Sequence, residues 1–352
     1  MRKSGTAVWA LGIVLALTAC GGGSGTADDP PTVIVPPPGP RPTPPPPPPP
    51  PPTTSSTERD VNPTLTNAAL TDNLSPHFAI NPAPATARGR LFVMLPGTTA
   101  VPRFYRLIVR AGAARGFHSI GLTYPNDEAV GTICASSPRP DCAGEVRREI
   151  ITGTDTSALV SVSPANSING RLVALLTYLN VTFPNEGWGQ FLTSGAPNWS
   201  LITVAGHSQG AGHTGYMAKL YSLDRTVMFS GPSDTGNGAG SPAPWISLPN
   251  ITPAARQYGF THRADELVPV ALVTFNWAGL GLDAFGALTS VDGSAAPYGN
   301  RHQLTSDIPI PPSPLSPATA PMHGGTVVDV VTPLAADGEP LYLPAWNYLA
   351  FP

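Results

Sequence analysis

The sequence predicts an α/β domain over residues 60–352, a doubly wound and mostly parallel sheet with helices on both faces. Three observations carry this expectation. Short apolar runs occur without the polar alternation of a half-exposed strand, as in strands buried on both faces. Segments with apolar residues at helical spacing lie between these runs. One strand–helix–strand unit closes within about 35 residues, the length of a βαβ crossover.

The elements follow in order. Arg90-Leu-Phe-Val-Met-Leu95 is a strand stopped by Pro96-Gly97. Pro102 opens a helix with Phe104, Leu107, Ile108 and Ala111 on one face, and Gly116 stands where a left-handed C-cap is expected. Phe117–Thr123 is the next strand, so the connection is a right-handed crossover between parallel neighbours. Downstream, Ile168, Leu172, Leu175, Leu176 and Leu179 share a helical face, and Leu201–Ala205 is a strand. A helix from Ser208 to about Tyr221 leads to strands at Thr226–Ser230 and Gln257–Thr261, and an apolar helix spans about Leu267 to Leu280. The βα repeats are too few and the inserts too long for a barrel, which leaves an open sheet.

The first residues stand apart. Arg2 and Lys3 precede an apolar run from Ala7 to Leu17, followed by Leu17-Thr-Ala-Cys20. A charged start, an apolar core of about ten residues and small residues before a cut site describe a secretory signal over residues 1–19, whereas a membrane span needs roughly 20 apolar residues. The small residues before Cys20 resemble the bacterial lipobox, which implies that Cys20 becomes the lipidated first residue of an exported protein anchored to a membrane of the cell envelope. An ordinary signal that happens to hold a cysteine is the alternative. Residues 20–59 are rich in Gly and Pro and include nine consecutive prolines, Pro44–Pro52. Such a tract is disordered or extends as polyproline II, and residues 31–52 would span on the order of 70 Å. It reads as a stalk, or else as a Pro-rich ligand for a partner domain.

Charged residues make up 12% of the chain and the net charge is −3, so there is no basic field to attract nucleic acid. Beyond Cys20, the chain holds Cys134 and Cys142, close in sequence, and export would favour a disulfide between them.

The stretch Leu201-Ile-Thr-Val-Ala-Gly-His-Ser-Gln-Gly-Ala-Gly-His213 delivers a serine between two glycines at the carboxyl end of a strand, where open parallel sheets gather functional groups. Side chains at 206 and 210 would collide with neighbouring elements in so sharp a turn, and the following helix points its N-terminus at the site. Ser208 therefore reads as a nucleophile rather than part of an ordinary turn. Gly206-His-Ser-Gln-Gly210 in this setting resembles the elbow of the α/β-hydrolase-fold serine hydrolases, the esterases, lipases and cutinases, and the likeness covers roughly residues 85–350.

The resemblance implies an acid after a later strand and a histidine last in the chain. Phe260-Thr-His-Arg-Ala-Asp-Glu-Leu-Val-Pro269 is similar to the family's H-G-x-x-D-x-x-V-P turn, with Arg263 in place of the glycine, and supplies Asp265; Glu266 beside it reads as the start of the next helix. Asp234, one strand earlier, is the rival acid. Two histidines come late enough to act as base. His302 leads into the last strand, Gln303-Leu-Thr-Ser306, 37 residues beyond Asp265, and His323 lies past a Pro-rich loop, 58 residues beyond it. The spacing of His302 is nearer that of small family members, but His323 is preferred, because the fold keeps its base in the loop after that strand. His207 and His213, close to the serine in sequence, read as packing groups or supports. The oxyanion donors implied are the backbone N–H of Gln209 and that of Thr98 in Leu95-Pro-Gly-Thr-Thr99, where proline replaces the family's histidine. Trp188, Trp199, Tyr124 and Trp245 are candidates to line an apolar or polymer site.

The function so implied is hydrolysis of a small or polymeric carboxylic ester through an acyl-enzyme. Amides and peptides would use the same machinery, and a catalytically silent binding module is the alternative of a different class. No histidine or carboxylate cluster has metal-ligand spacing, and this chemistry needs no cofactor.

Overall fold

Alternation along a single strand divides the interior in two. In Leu91-Phe-Val-Met-Leu95 every residue is buried, with Leu91, Val93 and Leu95 in one core and Phe92 and Met94 in the other, as the twofold side-chain period of a strand requires. The computed structural model describes residues 55–236, 241–311 and 320–352. The secretory signal, Cys20 and the stalk up to residue 54 lie outside the described residues, as does most of the Pro-rich loop before His323.

The strands are β1 (Thr57–Val61), β2 (His77–Asn81), β3 (Leu91–Leu95), β4 (His118–Gly121), a separate ribbon of β5 (Leu192–Thr193) and β6 (Ala196–Pro197), then β7 (Ile202–His207), β8 (Arg225–Phe229), β9 (Gln257–His262), β10 (Thr289–Ser290) and β11 (Gln303–Ser306). The α-helices are α1 (Pro63–Thr66), α2 (Arg106–Ala114), α3 (Val130–Ile133), α4 (Cys142–Thr152), α5 (Ile168–Thr182), α6 (Gln209–Leu220), α7 (Val270–Gly279), α8 (Pro321–Gly324) and α9 (Leu343–Ala350). The main sheet has nine strands in the order β1-β2-β4-β3-β7-β8-β9-β11-β10. It is parallel from β4 to β10, while β2 runs antiparallel to both β1 and β4. Helices α4, α5, α6 and α7 pack with the first core and α2 and α9 with the second, so both faces are covered.

The helix after β3 ends as its glycine requires. Gly116 takes φ +84°, the N–H of Phe117 reaches Gly112 O at 3.0 Å, and that of Gly116 reaches Ala113 O at 2.9 Å. These are the two bonds of a Schellman cap. Phe117 then packs edge-on against Phe351 at 5.3 Å, tying this helix end to the C-terminus.

Three expectations change. The domain begins at Thr57 rather than residue 60, because Thr57–Val61 pairs with β2 as an edge strand. Its charges disguise it as linker in the sequence, but each has a partner: Glu58 bonds Arg110, Asp60 bonds Arg106 and Arg59 bonds Glu186. The helix expected from Leu267 starts at Val270, because the N–H groups of Leu267 and Val268 turn back onto the Asp265 carboxylate and Pro269 then stands at the N-cap. Glu266 consequently begins no helix. Helices α4 and α9 are additions that apolar spacing did not single out.

Cys134 and Cys142 form the disulfide, which joins the end of α3 to the first turn of α4. A loop this short restricts the unfolded chain modestly. Reduction, or replacement of both cysteines by serine, should lower the unfolding free energy by about 2 kcal/mol, read from urea denaturation with and without reductant.

Candidate active site

The chain steps from β3 to β4 on one side and then crosses to β7 on the other, so the carboxyl ends of β3 and β7 bound a topological switch point. Ser208 sits there, between the last residue of β7 and the first of α6, with φ +54° and ψ −114°. A serine in this backbone region is strained by roughly 1–3 kcal/mol and needs its surroundings to hold it. Its N–H donates to Phe229 O at 2.9 Å, at the end of β8. The flanking glycines let strand and helix close on the turn. A Cβ at 206 would lie 2.1 Å from Gly210 O, and one at 210 would lie 2.2 Å from Leu95 O, both far inside contact distance. The first N–H groups of α6, beginning with Gln209, have no intrahelical acceptor and face this end of the sheet.

Two strands further, the turn after β9 supplies Asp265, whose Oδ1 and Oδ2 each lie 2.9 Å from His323 Nδ1. Oδ1 also accepts the N–H groups of Leu267 and Val268, at 2.9 Å each. Burial raises the Asp265 carboxyl, but the hydrogen bond and charge of His323, with the two backbone donors, outweigh it and hold the group below the usual carboxylate range. The Nδ1 proton is thus committed to the carboxylate, and Nε2 is the ring nitrogen left as an acceptor.

The main chain of His323 is held as firmly as its ring. Its N–H donates to Glu266 Oε2 at 3.0 Å and that of Met322 to Glu266 Oε1 at 3.2 Å. Its carbonyl oxygen faces His207 Nε2 at 3.0 Å and accepts from Ser230 Oγ at 2.8 Å. The protons on this chain can be assigned. The His323 carbonyl oxygen can only accept, so the neutral His207 ring carries its proton on Nε2 and donates there. Its Nδ1 is then an acceptor, and Tyr105 Oη, which accepts the N–H of Gly97 at 3.0 Å, donates its own proton to it, also at 3.0 Å. Burial, with a smaller effect from His323, pushes His207 down to about 3, so it stays neutral in this role.

The turn after β3 contributes the opposite wall. Asn126 Nδ2 holds the carbonyl oxygens of Gly97 (2.6 Å) and Ala100 (2.8 Å), and Tyr124 Oη holds that of Pro96 at 2.6 Å. Its N–H groups are shared out unequally. Gly97 donates to Tyr105 and Thr99 to Asn126 O at 2.8 Å, which leaves the Thr98 N–H without an acceptor among the described residues. The Thr98 hydroxyl donates to Gln209 Oε1 at 2.7 Å and so ties this loop to the serine turn.

The remaining candidates lie elsewhere. Asp234 is occupied by a buried ion pair, its carboxylate meeting Arg147 Nε at 2.5 Å and Nη2 at 2.6 Å and accepting Trp245 Nε1 at 2.8 Å. Arg147 Nη1 extends the network to Gln209 O at 3.0 Å, so this acid steadies the start of α6 and meets no histidine. His302 is stacked between Tyr258 and Phe285, with Nδ1 bonded to Gln257 O at 2.9 Å. His213 is buried edge-on to Tyr124. None of the four aromatic residues expected at the pocket lines it. Trp188 packs on His118, Trp199 stacks on Tyr221, Trp245 serves Asp234 and Tyr124 serves the Pro96 turn. A cavity of about 590 Å³ opens over the site instead, and Thr98, His207, Ser208 and His323 all contribute to its wall. Among the described residues no cluster of three or more His, Cys, Asp or Glu could hold a metal ion.

Tyr105, Glu266, Ser230 and Arg147 were not singled out for the site from the sequence. Arg147 shares the buried face of α4 with Val146, Ile150, Ile151 and a second charge, Glu149, so no apolar stripe marked it out. The others act through contacts between distant segments.

Two outcomes test this arrangement. Asp234→Ala leaves the Arg147 guanidinium buried without its partner, and should cost about 3–5 kcal/mol of stability by urea denaturation. His77 and His207 are both pushed from 6.5 to about 3, chiefly by burial. Between those values the unfolded chain binds the protons that the folded chain refuses, so stability should fall as pH drops from 6.5 towards 3, by up to ~1.4 kcal/mol per pH unit for each histidine. A chemical-denaturation series from pH 7 to 4 reads the slope.

No protein-family model matches the chain, and no curated protein does. The chemistry therefore rests on the geometry of the site itself.

Proposed function

We propose that the protein is an exported serine hydrolase of the α/β-hydrolase type that cleaves carboxylic esters through an acyl-enzyme, anchored to the cell envelope by lipid on Cys20. The observation that carries the catalytic reading is the placement of His323, which bonds Asp265 through Nδ1 and shares a cavity wall with the strained Ser208. A serine hydroxyl is a poor nucleophile until a base removes its proton, and a histidine is an effective base when a carboxylate fixes its tautomer and stabilises the imidazolium. The signal-like N-terminus and the small residues before Cys20 support export and anchoring.

In this mechanism Ser208 Oγ attacks the ester carbonyl carbon as His323 Nε2 takes the hydroxyl proton. The carbonyl oxygen becomes an oxyanion and accepts the N–H groups of Gln209 and Thr98, each worth on the order of 3 kcal/mol in the transition state. The tetrahedral adduct collapses, the C–O bond to the alcohol breaks, and the leaving alkoxide takes the proton from His323. Water then attacks the acyl-serine, giving a proton to His323, and collapse of the second adduct returns that proton to Ser208 and releases the acid. Asp265 stays ionised throughout, which agrees with its lowered pKa. Tyr105 and His207 link the loop that carries one oxyanion donor to the backbone of the base, keeping the two in register.

The purified protein should label with a fluorophosphonate probe and release nitrophenol from nitrophenyl esters, and Ser208→Ala should abolish both. A protein that neither labels nor turns over is a binding module with this fold. His323→Ala should lower kcat by about 10⁴-fold or more, while His302→Ala, at a packing histidine, should stay within a few-fold. Tyr105→Phe removes the hydroxyl between Gly97 and His207; kcat should fall about tenfold with KM little changed, since a small displacement of base or oxyanion donor costs the transition state more than the ground state.

A further inference from the structure

We propose that the site takes neutral esters bearing a long apolar chain, and that Leu267 and Val330 at the cavity mouth are its specificity-determining residues. The proposal rests on the serine-hydrolase reading and narrows it to a substrate class. No Asp, Glu, Lys or Arg contributes to the cavity wall. The polar residues of the lining are Thr98, Thr99, Tyr105, His207, Ser208 and His323, and Phe104, Val268, Val328 and Val331 supply apolar wall. A charged or strongly polar substituent carried into these walls would lose its hydration and meet no partner, whereas a hydrocarbon chain loses nothing by entering. The volume of about 590 Å³ is ample for the reacting group together with a chain of several methylenes.

The mouth extends the apolar path. Leu267 is 62% exposed and Val330 is 39% exposed, and both also line the cavity. Single exposed aliphatic residues are ordinary on a protein surface, but two at the rim of an apolar cavity place hydrocarbon where the free end of a long chain would emerge. Val330 belongs to the segment that follows α8. There the methyl groups of Val328 and Val331 pack so closely on Gly324 that a Cβ would lie 3.2 and 3.0 Å from them. The wall that would select the chain is thereby built onto the short helix that carries His323.

The test uses the full-length mature protein and two series of neutral esters: nitrophenyl esters from acetate to dodecanoate, and alkyl acetates from methyl to dodecyl. They distinguish a chain carried on the acid from one carried on the alcohol. In one series kcat/KM should rise by about three- to fourfold per methylene over the first several carbons. Val330→Asp should lower kcat/KM for the longest member at least tenfold and leave acetate within twofold, and Leu267→Asp, whose backbone N–H holds Asp265, should lower the ratio of kcat/KM for the longest member to that for acetate at least tenfold. Two flat series, a preference for the nitrophenyl monoester of succinate over that of butyrate, or rim variants that depress acetate and dodecanoate alike would each overturn the proposal. Fluorophosphonate labelling separates the two readings. A protein that labels at Ser208 but shows no chain-length response remains a serine hydrolase with a different substrate, and one that does not label loses both readings.

Discussion

The site depends on one steric constraint, the closeness with which β7, α6 and the end of β3 meet around Ser208. The spaces that side chains at 206 and 210 would occupy are filled by the carbonyl oxygens of Gly210 and Leu95, so the turn can be this sharp only with glycine at both positions. The backbone at Ser208 is left in a region that serine adopts reluctantly, and the surrounding sheet enforces it through the bond from its N–H to Phe229. From that turn the start of α6, the Gly97–Ala100 loop and the edge of β8 all take their positions.

Around this fixed point the protein spends its polar groups on position rather than on charge. His323 is held through its ring by Asp265, through its N–H by Glu266, and through its carbonyl by His207 and Ser230. Tyr105 joins that set to the loop after β3, and Thr98 joins the loop to Gln209. The buried ion pair of Arg147 with Asp234 packs against α6 and braces the carbonyl of Gln209. Placing it there keeps a permanent cation off the cavity wall while steadying the helix end on which anion stabilisation would depend.

Two different kinds of interior thus meet at one crevice. The cavity wall is mostly hydrocarbon, broken by the polar groups of Thr98, Ser208 and His323, and behind it stands a frame of hydrogen bonds. In the proposed reaction such a low-dielectric cavity would strengthen the interaction between a developing oxyanion and its donors, which the hydrogen-bonded frame already holds in place. The same cavity would penalise a charged substituent, since no Asp, Glu, Lys or Arg lines it.

What could be read from the chain alone was local. The buried strands at 91–95 and 202–207, the crossover helix with its glycine cap, the serine between its glycines and the Cys134–Cys142 pair are each encoded by a few adjacent residues whose shape or periodicity has one physical reading. The charged edge strand Thr57–Val61 escaped, because its pairing depends on Arg106, Arg110 and Glu186 from elsewhere in the chain. Spacing counted against His323 relative to His302, and only the tertiary structure brought His323 to Asp265 and buried His302 between Tyr258 and Phe285. It likewise gave Asp234 to Arg147, turned Glu266 from a helix start into a clamp, and moved the aromatic residues away from the pocket they were expected to line. The sequence by itself determined the buried parallel strands around the site and where the serine must stand, since these depend on near neighbours. Which acid and which histidine meet was decided by the fold, because a hydrogen bond between residues 58 positions apart exists only once the sheet has set the distance between them.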